Sequence, residues 1–184
     1  MNIARVNPGG QAGFSRCGKY RYWLRRSWNP SGGQCAFIGL NPSTATAHED
    51  DPTLRRCVGF AKQWGYGSLL LVNLFALRAT NPQALRTATD PVGKRANQWL
   101  KRAVSESDMV VAAWGNGGTL LGRAQRIWAT LEGAVCLGIT TQGMPRHPLY
   151  CPQTTCLEPL PVAPISAPSK VRTGVPRSVP QEQN

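Results

Sequence analysis

Three polar side chains, each able to form directed hydrogen bonds, stand where apolar runs of the sequence end or are interrupted. Asn41 follows CAFIGL, Asn73 lies within LLLVNLFALRA, and His147 lies in RHPLY. An Asn amide offers a donor and an acceptor, which match the amide-like edge of a pyrimidine, and it can also position a water molecule. A His beside Pro on a short loop can donate to an oxygen that gains negative charge. The three residues together suit recognition of a base and cleavage of an N-glycosidic bond.

Each of the three also has a structural explanation, which the sequence alone does not exclude. Asn41 could shape the turn before the next proline, because Asn-Pro is common in turns. Asn73 could bond the backbone of a neighbouring loop, and His147 could be a structural histidine. The second histidine, His48, stands among acidic residues in a polar loop, so we expect it to be solvated.

Further candidate residues surround these three. Asp51 could supply the carboxylate that Asn41 lacks as a general base, although Asp-Pro is also typical of a helix start. The predicted catalytic residues are therefore Asn41, His147 and Asp51. The side chains expected to contact a base are Asn73, Phe75, Ser43 and Tyr150, with core filling an equally good explanation for Phe75. Those expected to contact phosphates are Arg146 and Arg78.

These residues need a scaffold that brings distant parts of the chain together. The stretch YRYWLRRSW predicts a strand, and NPSGG after it predicts a hairpin into the buried strand CAFIGL. Strand-like and helical patterns then alternate, with Asp-Pro pairs before two of the helices. This order predicts an α/β fold, a three-layer α/β/α sandwich with a mostly parallel central sheet and an N-terminal hairpin strand. In such sheets ligands gather at the carboxyl ends of the strands.

The predicted domain organisation follows from changes in composition along the chain. Residues 1–18 are rich in Gly and small polar residues and are expected to be flexible. Residues 19–156 are expected to form a single α/β domain. Residues 157–184 are rich in Pro, Ser, Val and Gln without periodicity, which is typical of a disordered tail.

The charge of the chain points to an anionic partner. Lys and Arg total 21 against 9 Asp and Glu, so the net charge is +12. A surface this basic attracts polyanions, and we expect nucleic acid, DNA in preference to RNA, or a nucleotide as the partner. The sequence has no apolar run of about 18 residues and no signal-peptide core, so we expect a cytoplasmic protein, and a monomer.

The six cysteines contain no C-x-x-C pair and are expected to be reduced thiols, several of them in the core. A metal or iron–sulfur cluster held by Cys17, Cys151 and Cys156 is the alternative, and the spacing gives it little support. The prediction is therefore that the protein holds no metal and no cofactor.

Four short segments resemble motifs of the uracil-DNA glycosylase superfamily, in the same order. GLNPSTA (39–45) is similar to its first motif in the form with Asn, and RHPLY (146–150) is similar to its His-Pro motif. Between them, LLLVNLFALR resembles the strand whose Asn reads the base, and VVAAWG resembles the strand ending in an apolar-Gly step. The motif serine after His-Pro is replaced by Leu149 here. The resemblance implies a glycosylase-like fold, base flipping and hydrolysis of an N-glycosidic bond.

Residues from about 20 to 151 are also similar to an uncharacterised bacterial and phage family, domain of unknown function 1643, which implies no particular activity. Three hypotheses remain open at this point. The protein is a base-processing enzyme of the glycosylase kind, or a non-catalytic module that uses the same pocket to sense a base, nucleotide or nucleic acid. The third is an accessory protein that binds another protein through its Pro-rich tail.

Overall fold

The computed structural model describes residues 10–162, and within them the chain forms one seven-stranded sheet and four α-helices. The strands are β1 (Gly10–Phe14), β2 (Arg21–Ser27), β3 (Gln34–Gly39), β4 (Ser68–Asn73), β5 (Met109–Ala112), β6 (Val135–Cys136) and β7 (Glu158–Pro159). The α-helices are α1 (Pro52–Gln63), α2 (Ala84–Thr87), α3 (Ala96–Ser105) and α4 (Arg123–Trp128). Short 3-10 helices span Asn116–Gly122 and Pro148–Tyr150. None of the described helices is long and apolar enough to cross a membrane.

The sheet is mixed, and its strand order is β1-β2-β4-β3-β5-β6-β7. Strands β4, β3, β5 and β6 pair in parallel, whereas β1–β2, β2–β4 and β6–β7 pair antiparallel. The predicted α/β class is therefore confirmed in outline, but the predicted mostly parallel sheet is replaced by a mixed one. A short loop joins β1 to β2, and such a connection allows only antiparallel neighbours.

The predicted hairpin between β2 and β3 is wrong, because β4 lies between these two strands. All six residues of β4 are buried, and such an apolar strand needs a partner on both edges. The NPSGG turn instead crosses over the start of β4, where the amides of Trp28 and Asn29 both donate to Gly67 O at 3.0 Å. The approach is so close that a Cβ on Gly67 would lie 2.0 Å from Asn29 O.

The two ends of the chain differ in part from the sequence-based expectation. Residues 10–14, within the segment expected to be flexible, form β1 and pair along β2. Residues 158–159, within the segment expected to be a disordered tail, form β7, and the Trp128 indole donates to Pro161 O at 2.8 Å. Both segments supply an edge strand, which composition alone does not reveal. The expectations for residues 1–9 and 163–184 lie outside the described residues.

Apolar side chains pack on both faces of the sheet, because successive residues of a strand point to opposite sides. On one face Ile38 and Val72 pack in a cluster with residues of α3 and α4. On the other face Phe37 and Leu71 pack in a cluster with the inner side of α1. The buried residues of α1 are Leu54, Cys57, Phe60 and Ala61.

Helix boundaries follow local hydrogen bonds and left-handed backbone positions. The predicted start of a helix at Asp90-Pro91 is wrong, since Asp90 Oδ1 accepts from the amides of Val92 and Gly93 and builds a turn. Gly93 has φ +80°, so α3 begins only at Ala96. Helix α4 likewise begins only at Arg123, because Leu121 and Gly122 before it have φ angles of 55° and 62°.

Phe75 lies in the core, which is one of the two alternatives that the sequence analysis left open for this residue. Strand β4 ends at Asn73, and the chain turns so that the amides of Leu74 and Phe75 donate to Gly39 O and Leu40 O. The Phe75 side chain is completely buried in the cluster that α3 and α4 cover. It therefore has no surface left on which a ligand could stack.

Replacing Phe75 by Ala should lower the free energy of unfolding by about 3–5 kcal/mol, because it leaves a large cavity in the core. The matched control is Phe14→Ala at the sheet edge, where the ring is 38% exposed, and its cost should be less than about 1 kcal/mol. Urea titration of both variants measures the difference. Equal costs for the two phenylalanines would contradict the core position of Phe75.

Candidate functional site

The carboxyl ends of the parallel strands surround an inner cavity of about 40 Å³. On the same measure a water molecule needs about 10–15 Å³, so the cavity has room for roughly three waters or a group of that size. Five predicted site residues line it together, namely Asn41, Ser43, Asp51, Asn73 and His147. The structure thus brings together residues that are separated by up to about a hundred positions in the sequence.

A wider outer cleft of about 410 Å³ adjoins the inner cavity. Asn41, Ser43, Asp51 and His147 line both spaces, so a ligand in the cleft can reach into the cavity. Tyr150 stands at the rim of the cleft, 82% exposed, with its ring centroid 5.8 Å from that of His147. A flat ring in the cleft would therefore find one exposed aromatic side chain beside it.

Asn73 occupies the closed end of the site with an unpaired amide nitrogen. Its side chain is buried, and Nδ2 has no hydrogen-bond partner within the described part of the chain. In the parallel register Asn73 lies opposite Gly39, where a Cβ would stand 2.7 Å from Asn73 Oδ1. A residue larger than glycine at position 39 would thus displace this amide. A buried donor without a partner costs about 1–3 kcal/mol, and a bound ligand with an acceptor would remove that cost.

Asn41 has a structural role as well as a place in the cavity wall. Its Nδ2 donates to Ala79 O at 2.8 Å and to Pro42 O at 3.0 Å, which ties the loop after β3 to the segment after β4. Asn41 therefore has the turn-shaping role that the sequence allowed for it. Because the amide nitrogen is used in this way, Oδ1 is the atom of Asn41 left to bind a ligand or a water.

Asp51 caps α1 and lines the cavity at the same time. Its Oδ1 accepts from the Leu54 amide at 2.7 Å, and Oδ2 accepts from the Ala45 amide at 3.3 Å. The second bond is long, so Oδ2 keeps capacity to accept a proton or a hydrogen bond from a ligand or a water. Asp51 is the single carboxylate among the residues that line the inner cavity.

His147 is held as a neutral imidazole. Its Nδ1 accepts a long hydrogen bond of 3.4 Å from the Leu149 amide, which leaves the ring proton on Nε2. Burial lowers the pKa of His147 from its ordinary value, and the negative charge of Asp51 opposes that shift. Gly115 allows the close approach of this loop, since a Cβ there would lie 3.3 Å from His147 Cβ. A neutral histidine with a proton on Nε2 can donate a hydrogen bond to an oxygen.

Arg21 is a cavity residue that the sequence analysis missed. It begins β2, is 1% exposed and lines the inner cavity beside Asp51 and Asn73. Its Nη1 donates to Ala45 O at 2.8 Å, whereas Nε has no partner within the described residues. Burial lowers the pKa of Arg21 to about 10, and Asp51 opposes this shift. No local signal separates Arg21 from the other arginines of YRYWLRRSW, because its burial depends on the position of β2 in the sheet.

The two predicted phosphate contacts lie outside the cavity and the cleft. Arg78 is exposed, with its guanidinium 5.1 Å from the centre of the Phe14 ring, and it borders a shallow depression together with Lys19 and Ser43. Arg146 is also exposed and lies against Gly138. Both remain accessible to a large anionic ligand at the surface, but neither reaches the inner cavity.

The cysteines form no cluster that could hold a metal ion within the described residues. All six are free thiols, and among residues 10–162 no group of three or more His, Cys, Asp or Glu side chains is placed to hold a metal ion. Cys57 lines the inner cavity, where burial raises its pKa well above the ordinary value. Its sulfur is therefore a thiol at neutral pH, which is a poor nucleophile.

A family model described as "Protein of unknown function (DUF1643)" matches residues 21–149. The chain belongs to the DUF1643 family. No curated protein and no solved structure matches the chain. The DUF1643 match begins at Arg21 and ends just after His147, so it contains every residue that lines the inner cavity. The resemblance to uracil-DNA glycosylases stays a prediction.

We expect the DUF1643 domain to lose stability as the pH falls below about 6.5, partly through His147. Because the pKa of His147 is lowered in the folded protein, the unfolded chain binds a proton at a higher pH than the folded chain does. The contribution of His147 to the free energy of unfolding is therefore complete above the ordinary pKa and is lost as the pH falls. His147→Gln should therefore lose less stability than the wild type between about pH 7.5 and pH 5.5, measured by urea titration. His48→Gln, in an exposed loop, is the control and should behave like the wild type. Identical pH dependence in all three proteins would contradict this expectation.

Proposed function

We propose that this DUF1643 domain recognises a nucleobase and hydrolyses the N-glycosidic bond that joins it to a sugar, in DNA or in a nucleotide. The observation that carries the proposal is the unpaired Nδ2 of Asn73 at the end of a cavity that Asn41 and His147 also line. The cavity admits one edge of a base, and the adjoining cleft of about 410 Å³ has room for the rest of the ring and the sugar. The resemblance of the segments around these three residues to uracil-DNA glycosylase motifs supports this assignment, and we propose a three-layer, glycosylase-like arrangement for the fold.

In the proposed reaction, each of the residues around the cleft has a separate role. As the bond from C1′ to the base nitrogen breaks, its electron pair stays on the base, and the sugar gains oxocarbenium character. Nε2–H of neutral His147 donates to the base oxygen that gains negative charge. A water bound by Asn41 Oδ1 adds to C1′, and its proton passes through Asp51 Oδ2 or solvent to the departing base. The products are the free base and a sugar with a hydroxyl at C1′.

The proposed polymer is DNA, and the charge of the chain supports it. A net charge of +12 attracts phosphates, and Arg78 and Arg146 are exposed near the site. Extruding a base from a duplex costs a few kcal/mol, which contacts in the pocket and to the phosphates can offset. We propose that the protein acts as a monomer, since one chain supplies all the residues of the site.

A second candidate function is non-catalytic sensing of a base, nucleotide or nucleic acid. Asp51 favours it, because both of its carboxylate oxygens already accept backbone amides and one of these bonds caps α1. A carboxylate occupied in this way is a weakened general base. The same pocket would then serve binding alone.

Catalysis predicts that Asn41→Ala and His147→Gln each lower the rate of base release by about 10²–10⁴-fold, because they remove the water ligand and the donor to the leaving oxygen. The measurement is chromatography of free base released from oligonucleotides with mismatched or modified pyrimidines. His48→Gln is the matched control and should keep wild-type activity, since its side chain lies in an exposed loop. Thermal melts of all variants check that the fold is intact.

Two measurements on the wild-type protein distinguish the two candidate functions. Binding to single- and double-stranded DNA and RNA is measured across salt concentration, and the same mixtures are assayed for released base and abasic sites. Binding that weakens steeply with salt, without released base on any substrate, would select the sensing function. Base release that Asn41→Ala and His147→Gln abolish would select the enzyme.

A further inference from the structure

Arg21 is a buried cation whose hydrogen bonds are incomplete. Its side chain is 1% exposed, and within the described residues it forms no ion pair. Arg26 on the same strand is also buried, but it binds Asp50 at 2.7 Å and three backbone carbonyls. Arg123 is buried without an ion pair, but its Nε donates to Leu74 O and its Nη2 to Asn97. Arg21 alone among these three keeps a buried Nε without an acceptor.

A buried guanidinium with an unpaired Nε lowers the stability of the folded protein unless a ligand binds to it. Removing a charge from water costs several kcal/mol, and one bond to Ala45 O returns a small part of that free energy. Burial lowers the pKa of Arg21 only to about 10, so the guanidinium remains a cation at neutral pH. The positive charge is therefore present in the cavity wall under ordinary conditions.

The cavity beside Arg21 has the size and the donors for one small planar anion. Arg21 Nε and Asn73 Nδ2 are both buried donors without partners, and both side chains line the same space of about 40 Å³. That volume holds roughly three waters, and a carboxylate has three heavy atoms. Two nitrogen donors suit the two oxygens of a carboxylate, and a charged acceptor gains most from an arginine.

Asp51 is the group in the cavity that opposes an anion. Its charge is compensated where it stands, since it accepts the Leu54 and Ala45 amides and lies at the positive end of the α1 dipole. Arg21 has one hydrogen bond, to Ala45 O, and an unpaired Nε, and the nearby charge of Asp51 compensates the buried guanidinium only in part. The net preference of the closed end of the cavity is therefore for negative charge.

We infer that Arg21 and Asn73 bind a planar, negatively charged group of the carboxylate class in the inner cavity, while the ring that carries this group lies in the outer cleft. For a base as the ring, the inference rests on the proposed function and specifies its substrate class as bases with an acidic substituent. Arg21 is then a specificity-determining residue.

The test measures calorimetric binding of uracil, uracil-5-carboxylate, acetate and inorganic phosphate to the full chain. The proteins are the wild type, Arg21→Met and the matched control Arg123→Met, which removes another buried arginine away from the cavity. We expect uracil-5-carboxylate to bind at least about tenfold more tightly than uracil, and Arg21→Met to abolish this difference. Arg123→Met should keep it. Thermal melts should show Arg21→Met to be at least as stable as the wild type without ligand, because an unpaired buried charge is removed.

The outcomes separate this inference from the proposed function. Equal binding of uracil and its carboxylate, independent of Arg21, would overturn the inference and leave base recognition standing. Acetate that binds only when Arg21 is present, with neither uracil compound binding, would support the anion site and count against the nucleobase. Tighter binding of phosphate than of both carboxylates would show that the site does not prefer a planar anion, and it would overturn the inference. Loss of stability in Arg21→Met with unchanged ligand preference would assign Arg21 a structural role and overturn the inference.

Discussion

The parallel pairing of β3 with β4 is the constraint on which the site depends. It places Gly39 opposite Asn73 at the last position of both strands, and the missing side chain of the glycine leaves space for the amide. Immediately beyond this pair the amides of Leu74 and Phe75 donate to Gly39 O and Leu40 O. A one-residue shift in this register would move Asn73 to the opposite face of the sheet and remove the amide from the cavity.

The wall opposite this pair is a loop that strand β2 holds in place. Arg26 binds Asp50 and the carbonyls of Thr46 and Glu49, while Arg21 binds the carbonyl of Ala45. The same loop ends at the helix cap Asp51, whose carboxylate accepts a hydrogen bond from the Ala45 amide. Hydrogen bonds therefore fix both sides of the cavity before a ligand arrives, which reduces the entropy that binding must offset.

The sequence contained enough information to bring Asn41, Asn73 and His147 together, because each follows or ends a strand-like apolar run and parallel strands end at one edge. The position of Arg21 could not be predicted in this way. It depends on β2 lying against β4, and that order results from pairing between distant strands rather than from a local pattern. For a related reason the sequence could not decide between a core position and a base contact for Phe75, since the apolar run LLLVNLFAL continues past the end of the strand. Local patterns identified the central strands but not the edge strands β1 and β7, and burial of individual side chains depended on strand order.

The outermost strands of the sheet, β1 and β7, lie outside the region that defines the family. Each covers the open hydrogen-bonding edge of a family strand, β2 on one side and β6 on the other. Uncovered edges of this kind are templates for aggregation and for strand exchange between molecules. In this chain, segments on either side of the matched region therefore shield two edges, and a protein trimmed to residues 21–149 would expose both of them to pairing with other molecules.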